Sequence, residues 1–399
     1  MTFSPLRIGM VGGGNGAFIG AVHRRALRLD GECILVCGSF SRKHDNSIET
    51  GRSLGMPEYR CYADVDAMLC AEAELCSMPG TSEAALECVS IVTPNDTHVP
   101  IATAALANGF SVISDKPAGV SLGEVEGLAE SLAQSNGSYA LTHTYLGYPM
   151  VWQARHIATQ NAFGPVRKII VNYSQGWLAS QAELSGSKQA EWRTDPKRSG
   201  PAGAFGDIGS HAHSLVEFIC NSRMTRLSAR LNAHFPDRLL DDDGDARFEM
   251  DNGATGVLIA SQVCAGDENE LTIRIYGENA GVEWRQMEPN SLIERRGDGT
   301  LITHRAGLDK PLCSQALERC RLPSGHPEGY LEAFANIYRQ LSRSIRAGAR
   351  PASYGVPGIA EALRGMAFLE AAVSSSQEHG AWHDIKEPSK GPDLRGLLT

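Results

Sequence analysis

Lys116 follows closely on the apolar run Phe110–Ser114, and Pro117 stiffens the chain behind it. A lysine leaving the carboxyl end of a strand offers a point charge to an oxygen, and partial desolvation tunes its proton affinity. Asp207 and His211 stand four residues apart in GAFGDIGSHAH, on one face if that segment is helical. Histidine is the natural general acid or base near neutral pH. The aspartate can orient the ring, stabilise its protonated form or hold a hydroxyl. A third pattern opens the chain, where LRIGMV runs into GGGNGAFIGAVHRRAL as strand, glycines and helix. Glycines let the backbone approach a pyrophosphate without a Cβ clash, and the helix start offers unpaired N–H groups. Taken singly, each pattern has a plainer meaning: a solvated lysine, a helix-start charge beside a satisfied histidine, a tight turn.

The glycine loop has an irregular length. G-x-G-x-x-G spacing fits Gly12, Gly14 and Ala17 and leaves Gly20 unexplained. Taking Gly16, Ala17 and Phe18 as an insertion restores Gly12, Gly14 and Gly20, with Asn15 and Ile19 flanking the insertion. After the second apolar run, Gly38-Ser39-Phe40-Ser41-Arg42-Lys43 carries no acid before Asp45. An acid there usually holds the ribose hydroxyls of NAD. Its absence, with Ser41 and Arg42 beside Ser39 and Lys43, leans toward NADP within an NAD(P) site.

These residues need elements to hold them. Short apolar runs at Leu6–Val11, Cys33–Gly38, Cys88–Thr93, Phe110–Ser114 and Tyr139–Thr142 alternate with helical spacing, as in Val22, Ala26 and Leu29 or Val125, Leu128 and Leu132. That alternation predicts an α/β domain with a doubly wound parallel sheet over 1–145. Beyond Pro149 longer alternating segments appear (Val166–Ser174, Arg226–His234, Ala246–Met250, Ala254–Val263, Leu271–Tyr276, Val282–Trp284). They predict a second α/β domain over 146–385 with a mostly antiparallel sheet. Asn252-Gly253 predicts a type I′ hairpin with positive φ at both residues. Two helical stripes follow, from Leu331 to Ile345 and from Ile359 to Met366, and 386–399 is expected to be a flexible tail.

Composition narrows the classes. The 399 residues are 42% hydrophobic and 21% charged, an ordinary enzyme balance. A formal charge of −9 with scattered basic residues argues against a nucleic-acid or anionic-membrane surface. No signal peptide is apparent, and no apolar stretch approaches the roughly 20 residues of a membrane helix. The ten cysteines form no CxxC pair, which suits a reduced, cytoplasmic protein. Asp241, Asp242, Asp243 and Asp245 lack calcium-loop spacing and are expected to form a solvated turn, so no metal site is expected.

Further strings are specific together: VSIVTPNDTHVP, then FSVISDKPAG, then GAFGDIGSHAHSLVEF, then GVEW. Across nearly the whole chain, this order resembles the Gfo/Idh/MocA family of sugar and polyol oxidoreductases, with its TPN…H turn, E-K-P motif and D-x-x-x-H helix. The family loop G-x-G-x-x-G-x-x-H reaches His23, which favours the insertion. The resemblance implies that Thr93, Pro94, Asn95 and His98 contact the cofactor, with Lys116 near it. It implies a Rossmann domain followed by a domain with a large open sheet, whose outer face packs against another subunit in a dimer or tetramer. It also implies hydride transfer between nicotinamide and a carbinol or carbonyl carbon of a sugar, polyol or related compound. Lys116, Asp207 and His211 are then catalytic. Asp115 stands where the family carries Glu, one methylene shorter. Trp192 and Arg193 in EWRTDPKRSG suit stacking and hydrogen bonding to a sugar, and His143, Tyr145 and His326 are further substrate candidates. Two other readings stay open: a glycoside-cleaving enzyme using NAD transiently, and a nucleotide-binding regulator without turnover.

Overall fold

The computed structural model describes residues 4–387 apart from 81–83, 187, 309 and 311. The expected tail lies, from 388 onward, outside the described residues. The chain divides into two units, 4–142 with Phe334–Leu363, and His143–Ala333 with 364–387.

In the first unit, β1 (Leu6–Gly12), β2 (Cys33–Ser39), β3 (Cys88–Val92), β4 (Ser111–Ser114) and β5 (Tyr139–Leu141) form a five-stranded sheet in the order β2-β1-β3-β4-β5. Every pairing is parallel. The runs predicted from apolar continuity match these strands to within a residue or two, because both faces of β3 and β4 are buried throughout. Helices α1 (Phe18–Arg28), α2 (His44–Ser53), α3 (Val65–Ser77), α4 (His98–Ala107) and α5 (Leu122–Ala133) connect them. Asp64 and Ser121 cap α3 and α5 by accepting the N–H of Ala67 and Glu124.

The second unit is built on a nine-stranded sheet: β6 (Val166–Ser174), β7 (Met224–Asn232), β8 (Asp243–Met250), β9 (Thr255–Ser261), β10 (Glu270–Gly277), β11 (Ala280–Arg285), β12 (Ser291–Arg296), β13 (Leu301–Arg305) and β14 (His383–Asp384). Their order is β13-β12-β11-β10-β6-β9-β8-β7-β14, antiparallel throughout except for the β6/β9 pair. Against it pack α6 (Pro149–Ala158) and α9 (Ser210–Cys220), with α7 (Lys188–Arg193) and α8 (Pro196–Ser199) between them in sequence.

Several expectations change. The β8–β9 loop is not a type I′ turn: Gly253 alone has positive φ (+83°), and its N–H donates to the Met250 carbonyl. Asp251, Asn252 and Gly253 make a three-residue loop with glycine in the left-handed position, and the Asn252 side chain accepts the Ala254 N–H. β7 begins at Met224, paired with Met250, and β8 at Asp243, paired with Asn232, both ahead of the predicted starts. β12 and β13 escaped notice since IERR and THR hide their alternation; the Asp298-Gly299 turn between them was the available signal.

Where β1 meets α1, a Cβ on Gly20 would lie 2.3 Å from the Gly13 Cα. Gly20→Ala should therefore push α1 off the strand and cost about 1–3 kcal/mol. Denaturant unfolding measures it, and an unchanged midpoint would contradict the close packing.

Candidate active site

In the first unit the turns at the carboxyl ends of β1, β3 and β4 carry the predicted residues. Gly12 and Gly13 leave β1 with φ of +84° and +72°, and Gly16 turns at +87° with open space beyond it. The N–H of Gly14 already donates to the Phe40 carbonyl (2.9 Å), and that of Asn15 to Thr50 Oγ1 and Asn46 Oδ1. Gly14 is thus required by the approach of the β2 end, whose Phe40 oxygen a Cβ would meet at 2.8 Å. α1 starts at Phe18 with no side-chain cap at Ala17 and no acid in its first turn. Its first N–H groups, among them Ile19, are positioned for an anion. Gly20 serves the close packing against Gly13. Ser41, at the end of β2, accepts the Lys43 N–H, and Arg42 and Lys43 are exposed.

After β3, Thr93 Oγ1 accepts the Thr97 hydroxyl, Pro94 starts the turn, and Asn95 is buried. His98 opens α4. It is 1% exposed, and its two ring nitrogens each lie 2.8 Å from a backbone carbonyl, Pro117 and Thr93. These contacts set the ring between the two turns, with at least one ring N–H donating to a carbonyl. After β4, a cis peptide joins Lys116 to Pro117. Asp115 Oδ1 accepts the Lys116 N–H (2.9 Å) and the Thr142 hydroxyl (2.7 Å).

In the second unit, Asp207 sits in a π-helical turn, Phe205–Gly209, that runs into α9 and carries His211 in its first turn. The wide turn replaces the α-helical spacing expected from sequence. Asp241 sets it up: its carboxylate accepts the N–H of Gly203 (2.6 Å) and Phe205 (2.7 Å). Burial pushes the Asp241 carboxyl up to about 6 in spite of those donors. Asp242 is fully buried against Arg238 (2.7 Å) and His234 (2.8 Å), while Asp243 and Asp245 lie in β8. The acidic run is therefore structural rather than a solvated turn.

Asp207 Oδ2 accepts the Gln262 amide (2.9 Å) and faces Arg193 Nε at 3.5 Å, whose guanidinium stacks on Trp192. The His211 ring is flanked edge-on by Tyr145 at 4.8 Å and His143 at 5.6 Å, with Tyr173 at 6.4 Å. The phenols of Tyr145 and Tyr173 are hydrogen-bonded to each other, and burial raises both above the ordinary range. Tyr173 donates to Asn269 (2.7 Å), Gln175 donates to Asn269 (2.6 Å), and Gln262 donates to Gln175 (3.1 Å). One hydrogen-bonded path thus runs from Asp207 to Tyr145. Gln262, Gln175, Asn269 and Tyr173 were not foreseen; they lie in or just beyond β6 and β9 and before β10, where alternation signals a strand but not which amides face a site. His326 is not brought to this group. It is exposed, with its Nδ1 near the Pro323 carbonyl.

Residues 6–143 match the oxidoreductase family's NAD-binding Rossmann fold, and 151–283 the Gfo/Idh/MocA C-terminal domain. The chain belongs to the Gfo/Idh/MocA family. It is 30% identical to an uncharacterized oxidoreductase, YfiI, of Bacillus subtilis (strain 168), over 96% of this chain and 97% of that one. An inositol dehydrogenase homolog from Azotobacter vinelandii complexed with NAD+ is similar at a TM-score of 0.89, with 30% identity over 96% of this chain and 97% of that one. The same homolog with NADH and myo-inositol gives 0.86 and 30% over 96% and 98%. The protein is an oxidoreductase, and residues 6–143 form its NAD-binding Rossmann domain. Among the described residues no helix is long and apolar enough to cross a membrane, and no group of three or more His, Cys, Asp or Glu could hold a metal.

Gln262→Leu should cost about 1–3 kcal/mol of unfolding free energy, since it takes a donor from both Asp207 and Gln175. A denaturant titration that finds wild-type stability would dismiss the network's importance.

Proposed function

We propose that this oxidoreductase oxidises a secondary hydroxyl of a sugar or polyol, or reduces the matching carbonyl. The observation that carries this reading is the polar set around His211: a carboxylate, a guanidinium, amides and phenols held together in one unit. Such a set suits a ligand dense in hydroxyls. The similarity to a homolog complexed with NADH and myo-inositol supports the same class.

The dinucleotide fits the first unit on structural grounds, because α1 presents an uncapped N-terminus behind glycines that hold the backbone close to the sheet. Gly12, Gly14, Asn15, Ile19 and Gly20 build that cradle, and Thr93, Pro94 and Asn95 line the neighbouring turn. When bound, the cofactor supplies the hydride acceptor or donor. In the oxidative direction an imidazole nitrogen of His211 takes the hydroxyl proton. Asp207, steadied by Gln262, holds a neighbouring hydroxyl or supports the charged ring. Lys116 supplies the cation that stabilises the developing alkoxide. Trp192, Arg193, His143 and Tyr145 bind and orient the substrate. The outer face of the second sheet is the surface through which the chain forms a homo-oligomer.

Lys116→Ala should lower turnover of a polyol by roughly a hundredfold or more while cofactor affinity by fluorescence titration changes little. Wild-type-like turnover in that variant would refute the role of Lys116. Release of free sugar from an aryl glycoside without net NADH would favour glycoside cleavage, and absence of turnover across a polyol and sugar panel would favour a regulator.

The β2 end bears on cofactor choice. Arg42 and Lys43 lie exposed and no acid precedes Asp45, so the chain accepts the 2′-phosphate of NADP. Replacing both by alanine should raise KM for NADP by roughly tenfold and leave KM for NAD nearly unchanged. Equal effects on the two cofactors would exclude this reading.

A further inference from the structure

His23 lies one turn beyond the glycine loop in α1 and is completely buried. Its Nδ1 is 2.6 Å from the Tyr338 hydroxyl, which is itself 2.9 Å from Ser90 Oγ on β3. Phe334 packs against the ring at 4.5 Å. The other nitrogen, Nε2, is buried with no hydrogen-bond partner and faces Asp115 Oδ2 at 4.0 Å. Asp115 in turn holds the Lys116 N–H with its other oxygen. All of these groups belong to the first unit.

The geometry points to an oriented hydrogen-bonded chain, Ser90 to Tyr338 to His23, whose Nε2–H edge orients the Asp115 carboxylate electrostatically and thereby steadies the Lys116 backbone. His23 and Tyr338 are then positioning residues for Lys116. This rests on the catalytic role proposed for Lys116.

A neutral imidazole carries one proton, and the partner of each nitrogen decides which one holds it. A lone pair on Nε2 would face a carboxylate, so the proton belongs there. Nδ1 must then accept, and the Tyr338 hydroxyl is the nearest donor. Tyr338 in turn accepts from Ser90, which leaves no hydrogen misdirected. Two further features agree. Burial lowers His23 from 6.5 to about 4, so the ring is neutral in ordinary conditions, and burial holds the Tyr338 phenol well above its usual range as a donor. The charged or titratable groups that act on His23 are Asp115, which favours its proton, and Arg24 and His98, which oppose it.

The last link is where this chain departs from its family. At 4.0 Å the His23–Asp115 approach is an electrostatic contact, too long for a hydrogen bond. A glutamate would reach about 1.5 Å further and close it. The shorter acid leaves the carboxylate to Thr142 and the Lys116 N–H, with His23 acting at a distance.

The test uses the full chain labelled with 15N-histidine and no cofactor. The expected result is the Nε2–H tautomer for His23, with no titration between pH 5 and pH 8. In Asp115→Glu, the His23 titration should move upward as the contact becomes a hydrogen bond. Tyr338→Phe should lower kcat by roughly ten- to hundredfold with KM for the dinucleotide unchanged. An Nδ1–H tautomer in the wild type, or a Tyr338→Phe enzyme with wild-type kcat, would overturn the chain. If Lys116→Ala keeps turnover while the tautomer is as expected, the catalytic assignment fails and the oriented chain stands.

Discussion

The approach of α1 to β1 is the constraint on which the first unit turns. Gly13 and Gly20 meet so closely that neither tolerates a side chain, and this lowers the helix onto the sheet. Two consequences follow from one contact. The helix N-terminus is brought over the strand ends with no side-chain cap at Ala17. Three residues on, His23 is carried into the interior, where it reaches Ser90 on β3 and Tyr338. A loosely packed helix would offer neither. The loop ahead of α1 leaves this contact undisturbed: Gly16 has open space beside it, and Phe18, the first residue of α1, is 63% exposed.

The second unit solves a different problem, that of holding a carboxylate and an imidazole on a helix start. Asp241 does it by accepting the N–H groups of Gly203, just ahead of the π turn, and Phe205, its first residue. Burial opposes its ionisation, so the arrangement stores a cost that the surrounding packing must meet. Beyond it, Gln262, Gln175, Asn269 and the paired tyrosines leave few polar atoms unmatched. Buried polar networks of this length rigidify a site only when each member is satisfied. Here amides alternate donor and acceptor along the sheet, and His211 is framed by rings on several sides.

How much of this was legible in the sequence depends on what enforced each feature. Continuous apolar strands and the order of the glycine loop, TPN turn, DKP and D-x-x-x-H are local patterns, and the parallel sheet and the family follow from them. The hairpin at Asn252-Gly253 was visible as a hairpin, but its turn type was not, since the flanking register adds Asp251 to the loop. The acidic run at 241–245 read as solvent-facing because nothing local shows that Arg238 and the backbone of Gly203 and Phe205 come to meet it. The contacts of His98 are equally non-local. Its partners, Thr93 and Pro117, are joined only by the fold. Gln262 and Gln175 carry no signature at all, because an amide becomes a site residue only through what faces it.

Asp115 shows how a family pattern and a single geometry have to be weighed together. By motif it is a shortened glutamate beside a catalytic lysine, and the obvious question is what the lost methylene costs. By geometry its carboxylate is already engaged, with Thr142 and the Lys116 N–H on one oxygen and the buried His23 edge facing the other. A carboxylate held this way has little freedom to relay a proton to a substrate. It is better suited to keeping the chain before Lys116 in one conformation. The shortened side chain therefore alters the strength of a supporting contact while leaving the lysine itself in place. The departure from the motif therefore bears on how firmly the Lys116 backbone is held.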